Sequence, residues 1–223
     1  MQEYELDEVD GEDLNLDLIP KVEKSFGFRF EANELGHVAT FGEFCDVILN
    51  KFPVSENADC TSQQAFYKLR RALTQHFPGI VITPATSLAT LLPRHWRQRK
   101  QILRSVEKEL GFALDIIGAS GFAVTVVFCS FLVSFVAFFV STQAGILGLI
   151  LSTTNMMMAS VFGNTLQVKS VADVVKKMTR ENYALSRRNP STANQAEIVK
   201  QVQELFQHDL YLKPSALTRD ARF

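Results

Sequence analysis

The sequence has no acidic or basic side chain between residues 122 and 162. A soluble domain rarely leaves so long a stretch uncharged, which points to lipid rather than to a buried core helix. Catalytic signatures are missing too. There is no nucleophile–base spacing, phosphate-binding glycine loop or metal-ligand cluster, so no enzyme is expected. Cysteine is sparse: Cys45, Cys60 and Cys129 have no metal-ligand spacing and read as free thiols. His37, His76, His95 and His208 are equally scattered, and no metal is expected. The first 17 residues lack any basic side chain but carry Glu3, Glu5, Asp7, Glu8, Asp10, Glu12, Asp13 and Asp17. With no apolar run among them, no secretory signal is expected. Net charge is −1, and the basic residues lie beside the apolar stretch with acidic ones nearby. Nucleic acid is therefore not an expected partner.

The uncharged stretch contains two apolar runs, 122–140 and 144–162, joined by Ser141-Thr142-Gln143. As a helix, 19 residues rise about 28 Å, close to the ~30 Å hydrocarbon core of a bilayer. The expectation is a two-helix transmembrane hairpin within 119–165. Ser152, Thr153 and Thr154 can bond to carbonyls one turn back, but Asn155 should face protein. Ala144, Gly148 and Ser152 recur every fourth residue, and Ser130 and Ser134 do the same on the first run. With Asn155, these small residues are the candidates for helix packing in the membrane, within the hairpin or in a homo-oligomer. Arg94, Arg97, Arg99, Lys100, Arg104 and Lys108 precede the hairpin; Lys169, Lys176, Lys177, Arg180, Arg187 and Arg188 follow it. Positive flanks stay cytoplasmic, so a multi-pass protein of the cell (inner) membrane with both termini cytoplasmic is expected. A transport or channel subunit is the alternative for such a hairpin, though uncharged spans offer ions no pathway.

Outside the hairpin the patterns are helical, giving an all-α class. Residues 13–25 place Leu14, Leu18, Ile19 and Val22 on one face, with Pro20 awkward among them. Gly27 is a natural C-cap, and 31–35 reads as a short helix. Thr40 with Glu43, and Ser170 with Asp173, form capping boxes. Residues 61–77 and 194–208 are further helices, and 96–110 is a basic amphipathic helix closed by Gly111, of the kind that lies on anionic headgroups or packs with its charges solvated. The expected organisation is helices in 1–52, a linker at 53–60, a second helical region at 61–118, the hairpin at 119–165, a helix within 166–189 returning to the second region, and a C-terminal segment, 190–223.

These pieces repeat. Val22-Glu23-Lys24-Ser25-Phe26-Gly27-Phe28 parallels Val106-Glu107-Lys108-Glu109-Leu110-Gly111-Phe112, residues 40–48 parallel 170–178, and 65–77 parallel 196–208. The pattern resembles acyl carrier proteins, small four-helix carriers of fatty-acid and polyketide synthesis. That family ends its second helix with a charged run and an apolar residue before Gly. Thr40-Phe41-Gly42-Glu43 resembles the Thr-Val-Gly-Asp opening its last helix, and Ile82-Thr83-Pro84 resembles the Val-Thr-Pro of its first loop. Leu217-Thr218-Arg219-Asp220-Ala221-Arg222-Phe223 resembles the same loop without the proline. The likeness covers nearly all of the soluble chain. It implies that 12–50 correspond to helices two to four, 61–112 to helices one and two, 170–180 to a fourth helix, and 194–223 to a first helix and its loop. The C-terminal segment is then expected to complete the N-terminal one, in the same chain or a neighbouring one.

The family's activity requires a serine in Asp-Ser-Leu, which takes the phosphopantetheine arm. No Asp-Ser-Leu occurs here. Counting back from Gly27 puts Glu12 at that position, and counting back from Gly111 puts Trp96 there. Neither has an alcohol nucleophile, so phosphopantetheine is not expected as a cofactor. Ser87, in Thr86-Ser87-Leu88, is the alternative acceptor, nine residues before Trp96. The expected function is a non-catalytic docking or scaffold module on the bilayer, linked to acyl or lipid metabolism; a membrane-tethered carrier with a displaced acceptor is the alternative. The resemblance implies basic cytoplasmic enzymes of acyl metabolism as partners and makes Glu12, Asp13, Asp17 and Glu23 the expected docking face.

Overall fold

The computed structural model describes residues 6, 14–52, 60–188 and 194–223. It is mostly helical, in keeping with an all-α class. The helices are α1 (Ile19–Phe26), α2 (Phe41–Asn50), α3 (Thr61–His76), the single turn α4 (Leu88–Leu91), α5 (Trp96–Leu110), α6 (Gly121–Val140), α7 (Thr142–Phe162), α8 (Val171–Glu181), the single turn α9 (Tyr183–Ser186) and α10 (Gln195–Asp209). Two residues each of β1 (Ile117–Gly118) and β2 (Thr165–Leu166) pair antiparallel. The run expected to start α1 at residue 13 forms a π-turn over Leu14–Leu18 instead, and Pro20 sits in the first turn of α1, where its missing N–H costs no bond. Residues 32–37 make turns rather than a helix, with Asn33 at φ 65°.

Two apolar cores form. The first joins Leu18, Val22 and Phe26 of the α1 region and Phe41, Phe44, Cys45 and Ile48 of α2 to Tyr183 and to Ile198, Val202, Leu205 and Phe206 of α10. Both ends of the chain thus share one core. The second joins Ala65, Leu69, Ala72 and Leu73 of α3 to Leu103, Val106 and Leu110 of α5 and Val171, Val174, Val175 and Met178 of α8.

One plan underlies both cores. The core-cluster residues of α3 (65, 69, 72, 73) and α10 (198, 202, 205, 206) have identical spacing, as do those of α2 (41, 44, 45, 48) and α8 (171, 174, 175, 178). The sequence repeat aligned Ala65 with Ala196; burial aligns it with Ile198, two residues on. The loops repeat as well. Phe41 N–H donates to Ala221 O (2.8 Å) and Gly42 N–H to Arg219 O (2.9 Å); Val171 N–H donates to Thr86 O (3.0 Å) and Ala172 N–H to Pro84 O (2.8 Å). Gly27 and Gly111 close α1 and α5 at φ 74° and 86°, a conformation that favours glycine. Just before them, the Glu23 and Glu107 carboxylates accept from the N–H of Phe30 and of Leu114, each at 2.8 Å. The second unit runs α3, loop, α5, hairpin, α8. The first meets the same parts as α10 and its loop at one chain end, then α1 and α2 at the other.

Both capping boxes form, with Thr40 Oγ1 accepting from Glu43 N–H and Ser170 Oγ from Asp173 N–H at 3.2 Å each. Backbone N–H donors, from Ala39 and Thr40 to Glu43 and chiefly from Ser170 to Asp173, hold both carboxyls below their ordinary range. Thr40→Ala and Ser170→Ala should each cost about 1 kcal/mol in urea unfolding. The sign in pH follows from the lowered folded-state values. Each carboxylate's contribution is present above its unfolded value, 4.5 or 3.8, and is lost as pH falls through the lower folded value. The gap between wild type and Glu43→Gln/Asp173→Asn should be open at pH 7 and close below about pH 4.

Helices α6 and α7 pack as a hairpin along a seam of small residues. Gly145 lies against Phe138, Gly148 against Ser134, and the Ser134 and Ser152 hydroxyls meet at 3.2 Å. The bulky side chains point outward, with Phe122 80% and Phe139 78% exposed. Among the described residues one helix, α6, is long and apolar enough to cross a membrane, with mean hydropathy 2.6. A soluble core helix of that kind would be buried; only 6% of this apolar window is.

Candidate functional site

The base of the hairpin is held by α5, whose sequence reads as basic and amphipathic. Trp96, in its first turn, meets Phe162 at the end of α7 edge to face, with ring centres 5.1 Å apart. Arg99 is 7% exposed; its Nε donates to Pro93 O (2.9 Å) and its Nη1 to Asn164 O (2.6 Å). Lys100 Nζ donates to Val161 O at 2.5 Å. Cations thus meet carbonyls at the C-terminal end of α7, the negative end of its dipole. Asn164 Nδ2 returns a bond to Arg94 O at 2.9 Å. On the other side, β1 pairs with β2, and a Cβ on Gly163 would come within 2.7 Å of Gly118 O. Gly163 is needed there because two backbones touch.

A polar knot joins the two units. The Glu197 carboxylate accepts from the Thr61 N–H (3.0 Å), from the Thr61 hydroxyl, from Tyr183 Oη (3.3 Å) and from Arg187 Nη1 (3.2 Å). Arg187 is 3% exposed, also bonds the Thr61 hydroxyl, and stands over the Tyr183 ring. Burial pushes the Tyr183 phenol above its ordinary value. Beside the knot, Cys60, Gln64, Tyr67, Lys68, Arg71 and Arg188 line a cleft of about 560 Å³. Lys68 Nζ donates to Leu185 O at 2.7 Å, and burial lowers its pKa.

Residues singled out in the sequence fall as follows. Ser87 is exposed, caps α4 without a side-chain bond and pairs through its backbone with Ser170, away from the first turn of α5. Asp17 is exposed, whereas the Glu23 carboxylate is engaged by Phe30 N–H. Glu12 and Asp13 lie outside the described residues. Gly148 and Ser152 line the hairpin seam; Ala144 and Asn155 are on its outer surface. The seam takes Gly145 instead of Ala144, because α6 ends close enough there to bring Phe138 onto the α7 backbone. Among the described residues, no group of three or more His, Cys, Asp or Glu side chains could hold a metal ion.

No protein-family model, curated protein or solved structure matches the chain. What the site can do is therefore read from its geometry. Sequence reasoning missed the knot and the hairpin clamp. Arg187 and Arg99 count as membrane flanks in sequence, and only their burial marks them as structural cations.

Proposed function

We propose that the chain is a membrane-anchored, non-catalytic docking module: two acyl-carrier-like helical units on the cytoplasmic side, tethered by a two-helix transmembrane hairpin. The observation that carries the reading is the use made of Trp96. The resemblance puts the carrier's acceptor serine at this position, and an indole packed on the end of the hairpin fills it. A prosthetic arm has nothing to attach to there, and the surface that would present it is turned to holding the anchor.

The repeated plan of the two cores supports the carrier-like fold, and the outward Phe, Val and Leu side chains of α6 support lipid as its surroundings. Of the acidic residues expected to meet basic enzymes of acyl metabolism, Asp17 is exposed. The test is the intact mass of the full-length protein purified in detergent from its own host. A mass equal to the bare chain is expected. A mass raised by a phosphopantetheine arm, mapped to Ser87 or another serine, would make the protein a tethered acyl carrier and overturn the docking reading.

A further inference from the structure

We infer that the hairpin pairs with a second copy of this chain through Asn155, on a two-fold axis along the membrane normal. The inference rests on the hairpin spanning the bilayer. Asn155 lies on the exposed face of α7, three residues from Ser152 near the helix midpoint, or about 4–5 Å along the axis. Its neighbours Ser152, Thr153 and Thr154 each satisfy their hydroxyls on carbonyls of their own helix, at 2.8–3.0 Å. An asparagine amide has two donors and an acceptor and cannot be quieted in this way. Left facing hydrocarbon, it carries the full cost of an unmade hydrogen bond.

The surface around it has the form of a helix seam. Ala144, Leu147, Leu151, Asn155, Met158 and Phe162 are all exposed, at spacings of three and four that keep them on one face. It adjoins the stripe of Gly145, Gly148 and Ser152, which serve the hairpin itself, and differs from it in being exposed. A single asparagine within an apolar seam sets register. The occupant follows from symmetry. Two copies inserted in the same orientation hold Asn155 at the same depth, so a two-fold axis along the membrane normal brings amide to amide. Each amide then donates to and accepts from the other, and the contact is self-complementary.

The test uses the full chain with Cys129→Ala, labelled with donor or acceptor dye at exposed Cys60, in phosphatidylcholine–phosphatidylglycerol vesicles. Energy transfer is followed as lipid dilutes the protein, for wild type at 155, Asn155→Leu and Asn155→Gln. Wild type should retain transfer to about tenfold greater dilution than Asn155→Leu, which corresponds to the loss of the pair of inter-helix amide bonds in lipid. Asn155→Gln should stay near wild type. Transfer at the random level in wild type, or equal transfer in Asn155→Leu, would overturn the pairing. Alkaline carbonate extraction of the same vesicles separates the two claims. Protein that stays with the vesicles without pairing sinks the dimer alone, and protein released by carbonate sinks the membrane reading with it.

Discussion

Replacing Phe206 with alanine is expected to cost about 3–5 kcal/mol and to expose the far end of the chain to protease. Phe206 is fully buried on α10, with ring centres 5.2 Å from Phe41 and 5.6 Å from Phe44 of α2. Truncation leaves a cavity between elements separated by most of the sequence. A unit this small has only a few kcal/mol in reserve, so the loss should open residues 14–52. The core around Ala65, Leu69, Val106 and Val174 shares none of these contacts and should keep its protection. Limited proteolysis read by mass spectrometry checks both halves of the statement. Deleting 190–223 should open 14–52 more completely and, because it also removes Glu197 from Thr61 and Arg187, should loosen the second core as well. Unchanged resistance of 14–52 in either variant would contradict the shared core.

Removing the Glu197 carboxylate should be nearly as damaging. Glu197→Ala leaves the Arg187 guanidinium, 3% exposed, with no carboxylate, and takes an acceptor from Thr61 and Tyr183. Stripping one partner from a buried pair costs about 3–5 kcal/mol. Because the Glu197 side chain is 24% exposed, the lower end, about 3 kcal/mol, is expected here. The double variant Arg187→Met/Glu197→Met removes charge from both sides and should recover part of the loss. Since the knot joins α3 to α10, urea unfolding followed at both cores should shift together in Glu197→Ala. A change within about 0.5 kcal/mol would reduce the knot to an ordinary surface contact.

The parts legible in the sequence were those written within one helical turn of themselves. The boxes at Thr40 and Ser170 and the stops at Gly27 and Gly111 depend on residues within a few positions of each other. So does the extent of α5, read as 96–110 and found as Trp96–Leu110. Register was harder. Matching Ala65 to Ala196 follows side-chain identity, but packing follows the buried face, which pairs Ala65 with Ile198. A small residue in one unit and a branched one in the other can fill the same layer when their neighbours differ. The site was least legible. Arg99 and Lys100 act on carbonyls, and Arg187 and Glu197 on Thr61, brought from elements far away in sequence, and nothing in local spacing marks them. The face of Asn155 was likewise hidden. Its spacing from Ser152 fits the seam, and only the direction in which α6 packs leaves it outside.

The hairpin is proposed to cross the bilayer and return, with both helical units on one side. The most direct measurement places a cysteine at the turn, Gln143→Cys with Cys129→Ala, and compares it with exposed Cys60. Both are probed with a membrane-impermeant maleimide in sealed right-side-out and inverted membrane vesicles. Buried Cys45, whose thiol burial pushes up to about 12, should stay silent in both. Labelling of the turn only in right-side-out vesicles, and of Cys60 only in inverted ones, is the result expected. Labelling of both from the same side would contradict it.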